Sequence, residues 1–286
     1  MTPPAPLIAT KGITKDYPGV RALDGVDFDL RPGEVHVLFG ENGAGKSTLI
    51  SMLSGANRPT AGHIEISGER VDLDSVHDAR ERGISAVFQE FSLIPQMTVE
   101  ENLFLGAEHT RRGFLDKWDM RREAKSLLAE LDFDLDPKRT VDHLTRAEQQ
   151  MVEIAKAFRG ELSVLILDEP TASLTDHETA QLFRLVEQLT ERGVGIVYIT
   201  HRMAEIQRIG DRVTVLRDGR YVATLDVAEA DEDRLVQLMT GREVGAIFPE
   251  LDLGPPGAEI LRLEDVTTAT GSVVNVSLDV HAGEIV

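Results

Sequence analysis

Apolar residues along this chain follow two patterns. Four short runs, Val35-His36-Val37-Leu38-Phe39, Ile84 to Phe88, Val164 to Leu167 and Ile196 to Thr200, are almost continuously apolar. Such runs predict strands buried on both faces, as in the middle of an α/β sheet. Between them apolar residues recur at helical spacing. Leu49, Ile50, Met52 and Leu53 follow the first run, and Leu182, Leu185, Val186 and Leu189 share one face of Glu178 to Thr190. Leu7 to Ile13, Val26 to Leu30 and Gly62 to Ser67 read as further strands, and Val76 to Arg82 as a helix. Lys15 to Gly19 reads as the turn between the first two strands, with Tyr17 in that turn. From Phe91 to about Gly160 the pattern is helical with no strand expected: Met120, Ala124, Leu127, Leu128 and Leu131 form one stripe, and Ala147, Met151, Ile154, Ala155 and Phe158 another. Val213 to Leu216 and Tyr221 to Leu225 flank an Asp218-Gly219 hairpin turn, and an acidic helix spans about Asp231 to Met239. Gly241 to Gly257, with Gly254-Pro255-Pro256-Gly257, reads as a linker.

The tail repeats the head. Val26-Asp27-Phe28-Asp29-Leu30-Arg31-Pro32-Gly33-Glu34-Val35 aligns with Val276-Ser277-Leu278-Asp279-Val280-His281-Ala282-Gly283-Glu284-Ile285 at a constant offset of 250 residues. The strand before it recurs as Ile260 to Val266, without an aromatic where Tyr17 would fall. A repeat at domain length implies that a tandem copy is starting and that these residues are the front part of a longer two-domain protein.

Candidate chemistry gathers at the ends of the four apolar runs. After the first comes Gly40-Glu41-Asn42-Gly43-Ala44-Gly45-Lys46-Ser47-Thr48, which fits G-x-x-x-x-G-K-[ST] between a strand and a helix. Its glycines allow backbone N–H groups to surround the phosphates of a nucleotide, Lys46 supplies a point charge and Ser47 a hydroxyl for Mg²⁺. The second run ends at Gln89, where a glutamine can reach Mg²⁺ or a water. The third ends in Asp168-Glu169-Pro170. Beside a phosphate loop, Asp168 would hold Mg²⁺ and Glu169 would orient and deprotonate an attacking water. The fourth ends at His201. Tyr17 is either a surface tyrosine beside a proline or a platform on which adenine stacks. His63, His109 and His177 show no metal-ligand spacing.

Charge and composition narrow the class. The net charge is −19, from 49 acidic against 30 basic residues, and the acids are scattered, which weighs against a nucleic-acid partner. Cysteine is absent, so nothing asks for a disulfide framework or an oxidising compartment, and the cytoplasm is the default. Met1 to Pro6 lacks a basic start and an apolar core, and reads as a short extended arm and not a secretory signal. No apolar stretch approaches the length of a bilayer span, so a membrane role would be peripheral.

Together these residues resemble an ATP-binding subunit of the ABC transporter family, whose motifs occur in the same order. Gly40 to Thr48 matches the Walker A loop, Gln89 the Q-loop, Val164 to Glu169 Walker B, Ser173 to Asp176 the D-loop, His201 the switch histidine and Tyr17 the aromatic A-loop. The resemblance implies an α/β P-loop NTPase with a RecA-like core, an antiparallel β subdomain and a helical subdomain at about 90–160. It implies a nucleotide-binding domain over 1–245, a linker at 246–257 and the start of a second such domain at 258–286. Glu148-Gln149-Gln150-Met151-Val152-Glu153-Ile154-Ala155-Lys156-Ala157, Ile199-Thr200-His201-Arg202-Met203 and the tandem repeat are similar to bacterial importers of monosaccharides such as ribose, galactose or xylose. That likeness implies ATP and Mg²⁺, a partner permease, an external sugar-binding protein and a peripheral place on the cytoplasmic face of the membrane. Lys46, Gln89, Glu169 and His201 would then be the catalytic set, with the helical stretch after Gln89 docking the permease. Relatives importing nucleosides are also tandem, and soluble tandem ATPases acting on ribosomes or DNA share the nucleotide motifs.

One motif departs. The family's signature loop, LSGGQ, is here Leu144-Thr145-Arg146-Ala147-Glu148. The family implies that this loop contacts the γ-phosphate held by the other domain, through Thr145, Arg146 and Ala147. Arg146 replaces a glycine and Glu148 a neutral amide, which either weakens that second composite site or, with the Arg146 guanidinium on phosphate, serves it.

Overall fold

Two strands open the chain: β1 (Ile8–Tyr17) and β2 (Val20–Leu30) pair antiparallel through a turn at Pro18-Gly19. The computed structural model describes residues 5–111, 113–241 and 257–284, and the chain divides into two units, 1–241 and 242–286. Tyr17 is not in the turn; it is the last residue of β1 and pairs with Val20. The ladder outruns the apolar pattern because a bulge at Gly12 (φ 57°) resets its register, and beyond it Lys15, Asp16 and Arg21 form a ribbon with little apolar content to betray a strand.

Next come β3 (Val35–Phe39), α1 (Lys46–Leu53), β4 (Ala61–Ile66), β5 (Glu69–Val71), α2 (Val76–Glu81) and β6 (Ile84–Val87). The helical segment holds α3 (Val99–Leu103), β7 (Thr110–Arg111), β8 (Phe114–Leu115), α4 (Lys117–Glu130) and α5 (Arg146–Ala157). The expectation of no strand there is corrected by the β7–β8 ladder, in which Thr110 pairs with Leu115. Two exposed residues a side are too few for alternation to register. The unit closes with β9 (Val164–Asp168), α6 (Asp176–Glu191), β10 (Gly195–Ile199), α7 (Met203–Ile209), β11 (Arg212–Arg217), β12 (Arg220–Asp226) and α8 (Glu232–Thr240).

The strands form two sheets. One is antiparallel, in the order β2-β1-β4-β5. The other has the order β12-β11-β3-β10-β9-β6, parallel from β11 to β6 with β12 antiparallel at the edge. Side-chain alternation sends Val35, Val37 and Phe39 of β3 into a core shared with α3 to α6, and Leu38 into a second core with α1 and the antiparallel sheet. Both faces are therefore dry, which explains the uninterrupted apolar runs. Leu49, Ile50, Met52 and Leu53 seat α1 in the second core, each contributing about 1.5–3 kcal/mol by burial, so the loop before α1 is anchored at both ends. β3, β10, β9 and β6 are adjacent, and their carboxyl ends share one edge of the sheet.

In the second unit, β13 (Glu259–Val266) pairs antiparallel with β14 (Val276–His281). Its register matches that of β1 and β2. Leu261↔Val280, Leu263↔Leu278 and Val266↔Val276 stand where Ile8↔Leu30, Thr10↔Phe28 and Ile13↔Val26 stand in the first hairpin. The bulge recurs with its bonds: Gly12 N–H donates to Asp27 Oδ1 (2.6 Å) and Asp265 N–H to Ser277 Oγ (3.0 Å). Likewise Gly25 N–H donates to Thr14 Oγ1 (3.0 Å) and Asn275 N–H to Thr267 Oγ1 (3.1 Å). The ribbon that ends in Tyr17 is absent from the second hairpin, which closes through 267–275. The expected linker, apart from Gly241 and Gly257, and the repeat residue Ile285 lie outside the described residues.

Candidate functional site

The loop between β3 and α1 is clamped by its neighbours. A Cβ on Gly40 (φ 155°) would sit 2.3 Å from Leu216 O, and one on Gly45 (φ 100°) 2.5 Å from Leu23 Cδ2 and 2.8 Å from Ala22 O. Only glycine fits either place, so β2 and β11 fix the loop's path. Gly45 is also the N-cap of α1 and brings no side chain to it, and no acidic residue occupies the first turn. The positive end of α1 thus stands uncapped, the arrangement that suits an anion. Lys46 Nζ donates to Gly40 O (2.7 Å) and Glu41 O (3.0 Å). Burial lowers the Lys46 pKa, and the nearby Glu169 and Asp168 carboxylates oppose that shift.

Asp168 ends β9 and is buried. Burial first, then repulsion from Glu169, pushes its pKa up to about 6 against the pull of Lys46. Glu169 adopts a left-handed backbone (φ 47°), a strained state for a residue with a Cβ, and its N–H donates to Ile199 O (3.0 Å). His201, just past β10, has Nδ1 3.1 Å from Glu169 Oε1. An ionised carboxylate only accepts, so Nδ1 carries the proton.

Two adjoining clefts collect most of the expected residues. One of ≈ 570 Å³ is lined by Tyr17, Asn42, Gly43, Gly45, Lys46, Ser47, Thr48, Gln89, Asp168 and Glu169. The other, ≈ 800 Å³, adds Gly40 and His201 while sharing Asn42, Lys46, Gln89 and Glu169. Ala44 lines neither; it is buried in the core beneath the loop. Arg21, Asp218 and Gly219 also line the first cleft, which the sequence did not flag. The Asp218-Gly219 turn was visible, but its position over the phosphate loop is a tertiary fact: Gly219 N–H donates to Ala44 O (3.2 Å) and Gly219 O accepts from Asp24 N–H (2.8 Å). The polar groups suit a magnesium nucleotide. Ser47 offers a hydroxyl, Gln89 an amide and Asp168 one carboxylate, a sparse oxygen set of the kind Mg²⁺ completes with phosphate and water. Among the described residues no cluster of three or more His, Cys, Asp or Glu would hold a metal without such help.

Thr145, Arg146 and Ala147 line neither cleft. They start α5, where Thr145 and Glu148 form a reciprocal capping box. Thr145 N–H donates to Glu148 Oε2 (2.7 Å), and Glu148 N–H to Thr145 Oγ1 (3.2 Å). Arg139 grips the same carboxylate at 2.6 and 3.3 Å. Partial burial pushes the Glu148 pKa up, but Arg139 and the Thr145 N–H outweigh it and hold the carboxyl below its usual range. The Arg146 guanidinium lies 5.4 Å from the centre of the Phe91 ring.

A family model described as ABC transporter matches residues 23–172, a little over half of the chain. The chain belongs to the ABC transporter family. Among its relatives, the ribose import ATP-binding protein RbsA 3 of Rubrobacter xylanophilus is 49% identical over 280 residues, covering 98% of this chain and 56% of that protein. The galactose/methyl galactoside import ATP-binding protein MglA of Escherichia coli O157:H7 is 44% identical over 280 residues, 98% of this ABC chain and 55% of its own. The chain thus spans about half the length of the curated relatives it matches. A solved dimeric ATP-binding cassette in a post-hydrolysis state, bound to ADP and Pi, superposes with a TM-score of 0.68 at 27% identity, covering 77% of this chain and 98% of that one. The P-loop α/β fold of ABC cassettes is thereby established for this ABC protein.

Proposed function

We propose that this protein is the ATP-hydrolysing subunit of a bacterial ABC importer for a monosaccharide. The observation that carries the reading is the pairing of Glu169 with His201 at 3.1 Å, in clefts that also hold Lys46 and Gln89. The uncapped end of α1 and its loop N–H groups bind the phosphates, and Lys46 exchanges the Gly40 and Glu41 carbonyls for the outer phosphate oxygens. Ser47, Gln89 and Asp168, which line the ≈ 570 Å³ cleft, would hold Mg²⁺, which would neutralise charge on the phosphates. Glu169 takes a proton from the attacking water, and His201 shares its hydrogen bond between Glu169 and the γ-phosphate, coupling the base to nucleotide occupancy. Tyr17 lines the ≈ 570 Å³ cleft with a half-exposed ring suited to stacking on the base.

The wider assembly is part of the same proposal. Residues from 258 open a second ABC domain, a reading supported by the shared register and bulge of the two hairpins and by the length of the relatives. The boundaries 1–245 and 246–257 belong to the same proposal. Partner permeases and an external sugar-binding protein are proposed from relatives named for ribose and galactose import. Among the described residues no helix is long and apolar enough to cross a membrane, which fits a peripheral subunit on the cytoplasmic face. The test is ATP turnover by the protein reconstituted in proteoliposomes with its partner permease and binding protein. Mg²⁺-dependent hydrolysis stimulated by ribose or galactose is expected. Stimulation by a nucleoside alone would replace the solute, and absence of any hydrolysis would reject the ATPase reading.

A further inference from the structure

Glu205 lies in the first turn of α7 and is only 5% exposed. Its Oε1 accepts from Thr171 Oγ1 at 2.6 Å and from Arg202 at 3.4 Å, and its Oε2 from Thr200 Oγ1 at 2.8 Å and Tyr198 OH at 3.1 Å. The three hydroxyl donors come from three places. Thr171 stands two residues after Glu169, Thr200 directly before His201, and Tyr198 inside β10. Burial, together with the Glu205 carboxylate, raises the Tyr198 phenol's pKa, so it stays a donor. A carboxylate accepts and never donates, and bonds to it from hydroxyls are short and charge-assisted. A buried carboxylate is tolerable only when such a set is complete.

We propose that Glu205 is a positioning residue for the Glu169–His201 pair, tying the two loops that carry them to one buried point. The inference rests on the hydrolytic reading above. Glu169 needs such a tie because its backbone is left-handed, and its turn is otherwise held by backbone bonds from Glu169 N–H to Ile199 O (3.0 Å), from Ala172 N–H to Glu169 O (3.2 Å) and from Leu174 N–H to Thr171 O (3.2 Å). Thr171 holds the Glu169 side of the turn and Thr200 the His201 side, so one carboxylate sets the distance between base and histidine. Glu205 itself lines neither cleft; of its donors Thr200 borders the ≈ 800 Å³ cleft, whereas Thr171 borders neither.

Because Glu205→Ala risks misfolding, the decisive variants are the near-isosteric Thr171→Val and Thr200→Val, each deleting one donor and leaving the rest. On the intact protein, each should lower kcat about tenfold, the loss of one charged hydrogen bond, and Thr171→Val, outside both clefts, should leave KM and nucleotide affinity within twofold of wild type. In a Glu169→Gln background Thr171→Val should cost nothing further, because there is no base left to position. Glu205→Gln, which keeps an oxygen acceptor, should retain more kcat than Glu205→Ala. Unchanged kcat in both Val variants of a hydrolysing protein would overturn the inference, as would losses that multiply with Glu169→Gln. A wild-type protein that binds ATP and never hydrolyses it would instead reject the hydrolytic reading and this inference with it.

Discussion

Two helix N-termini, those of α1 and α5, were expected from the sequence to meet phosphate, and they are finished differently. At α1 the N-cap is Gly45, with no side-chain bond and no acid in the first turn. At α5 the N-cap is Thr145, Glu148 closes the box and Arg139 locks Glu148 from outside. One end leaves its dipole open to a ligand; the other meets much of it with its own carboxylate. The contrast teaches that a glycine-rich start is a vacancy for an anion, whereas Thr-x-x-Glu is self-sufficient. Here the signature segment's departures serve this chain's own architecture first: Glu148 completes a cap and Arg146 covers Phe91.

If chemistry belongs to the open end, the largest effect should come from Glu169→Gln. Turnover should fall about 10²–10⁴-fold with nucleotide binding retained, as measured by steady-state hydrolysis beside equilibrium binding. Near-normal turnover would remove Glu169 as the base. Lys46→Met should come next, weakening ATP binding about 10–100-fold. Burial disfavours the Lys46 charge, so this variant should melt no lower than wild type, which thermal unfolding without nucleotide would check.

Acid should separate the two ends. Asp168, with its pKa pushed up to about 6, must lose its proton to hold Mg²⁺, so affinity for magnesium nucleotide should fall up to about tenfold per pH unit below about 6. Asp168→Asn should be weaker throughout and lack that step. A raised carboxyl pKa favours the protonated fold, so this loss of binding is not a loss of stability from Asp168. Glu148 is shifted the other way: its contribution is present above the ordinary glutamate range and disappears only as pH falls below it. Burial first, then Arg212, depresses His36 to about 3, and its stabilising effect, full above 6.5, is lost as pH falls toward 3. The cap is therefore read as the difference in Tm between wild type and Glu148→Gln across pH, which cancels His36.

The open end was the more legible of the two. Walker-type spacing at Gly40 to Thr48 and polar residues closing Val164 to Leu167 and Ile196 to Ile199 are local facts, because strands buried on both faces cannot hide their length. That β3, β10, β9 and β6 are neighbours is not local, yet it follows from any sheet that gathers these ends. Tyr17 was misplaced because a bulge and a polar ribbon erase alternation. The closed end carries a local pattern left unread above, Thr145-x-x-Glu148, which recurs at Thr98-x-x-Glu101 and Thr175-x-x-Glu178, with a capping box at each. What no spacing could show is that Arg139 reaches Glu148, or that Arg146 and Phe91, on separate elements, meet.

Breaking the closed end should therefore cost stability and spare nucleotide binding. Glu148→Gln weakens the cap and the bidentate pair with Arg139, whose side chains are 22% and 40% exposed, so about 1 kcal/mol is expected. In a domain of this size that is a fall in Tm of about 2–4 °C, with ATP affinity within twofold. A loss of affinity larger than that would mean that the two helix ends are coupled within one domain.

Arg146→Ala should have the smallest effect and decides what the guanidinium is for. Over Phe91 an exposed cation–π contact contributes about 0.5–1 kcal/mol, and alanine is a good helix former, so Tm should move by a degree or two at most. If the guanidinium stays beside Phe91, turnover in the reconstituted importer should change less than threefold in Arg146→Ala and Arg146→Lys alike, since neither change then reaches the nucleotide. If it leaves Phe91 for a γ-phosphate held by a partner domain, Arg146→Ala should cut turnover tenfold or more at unchanged Tm, and lysine should restore part of it as a point charge. The lysine variant separates the two, because turnover is indifferent to a cation beside Phe91 and sensitive to one beside phosphate.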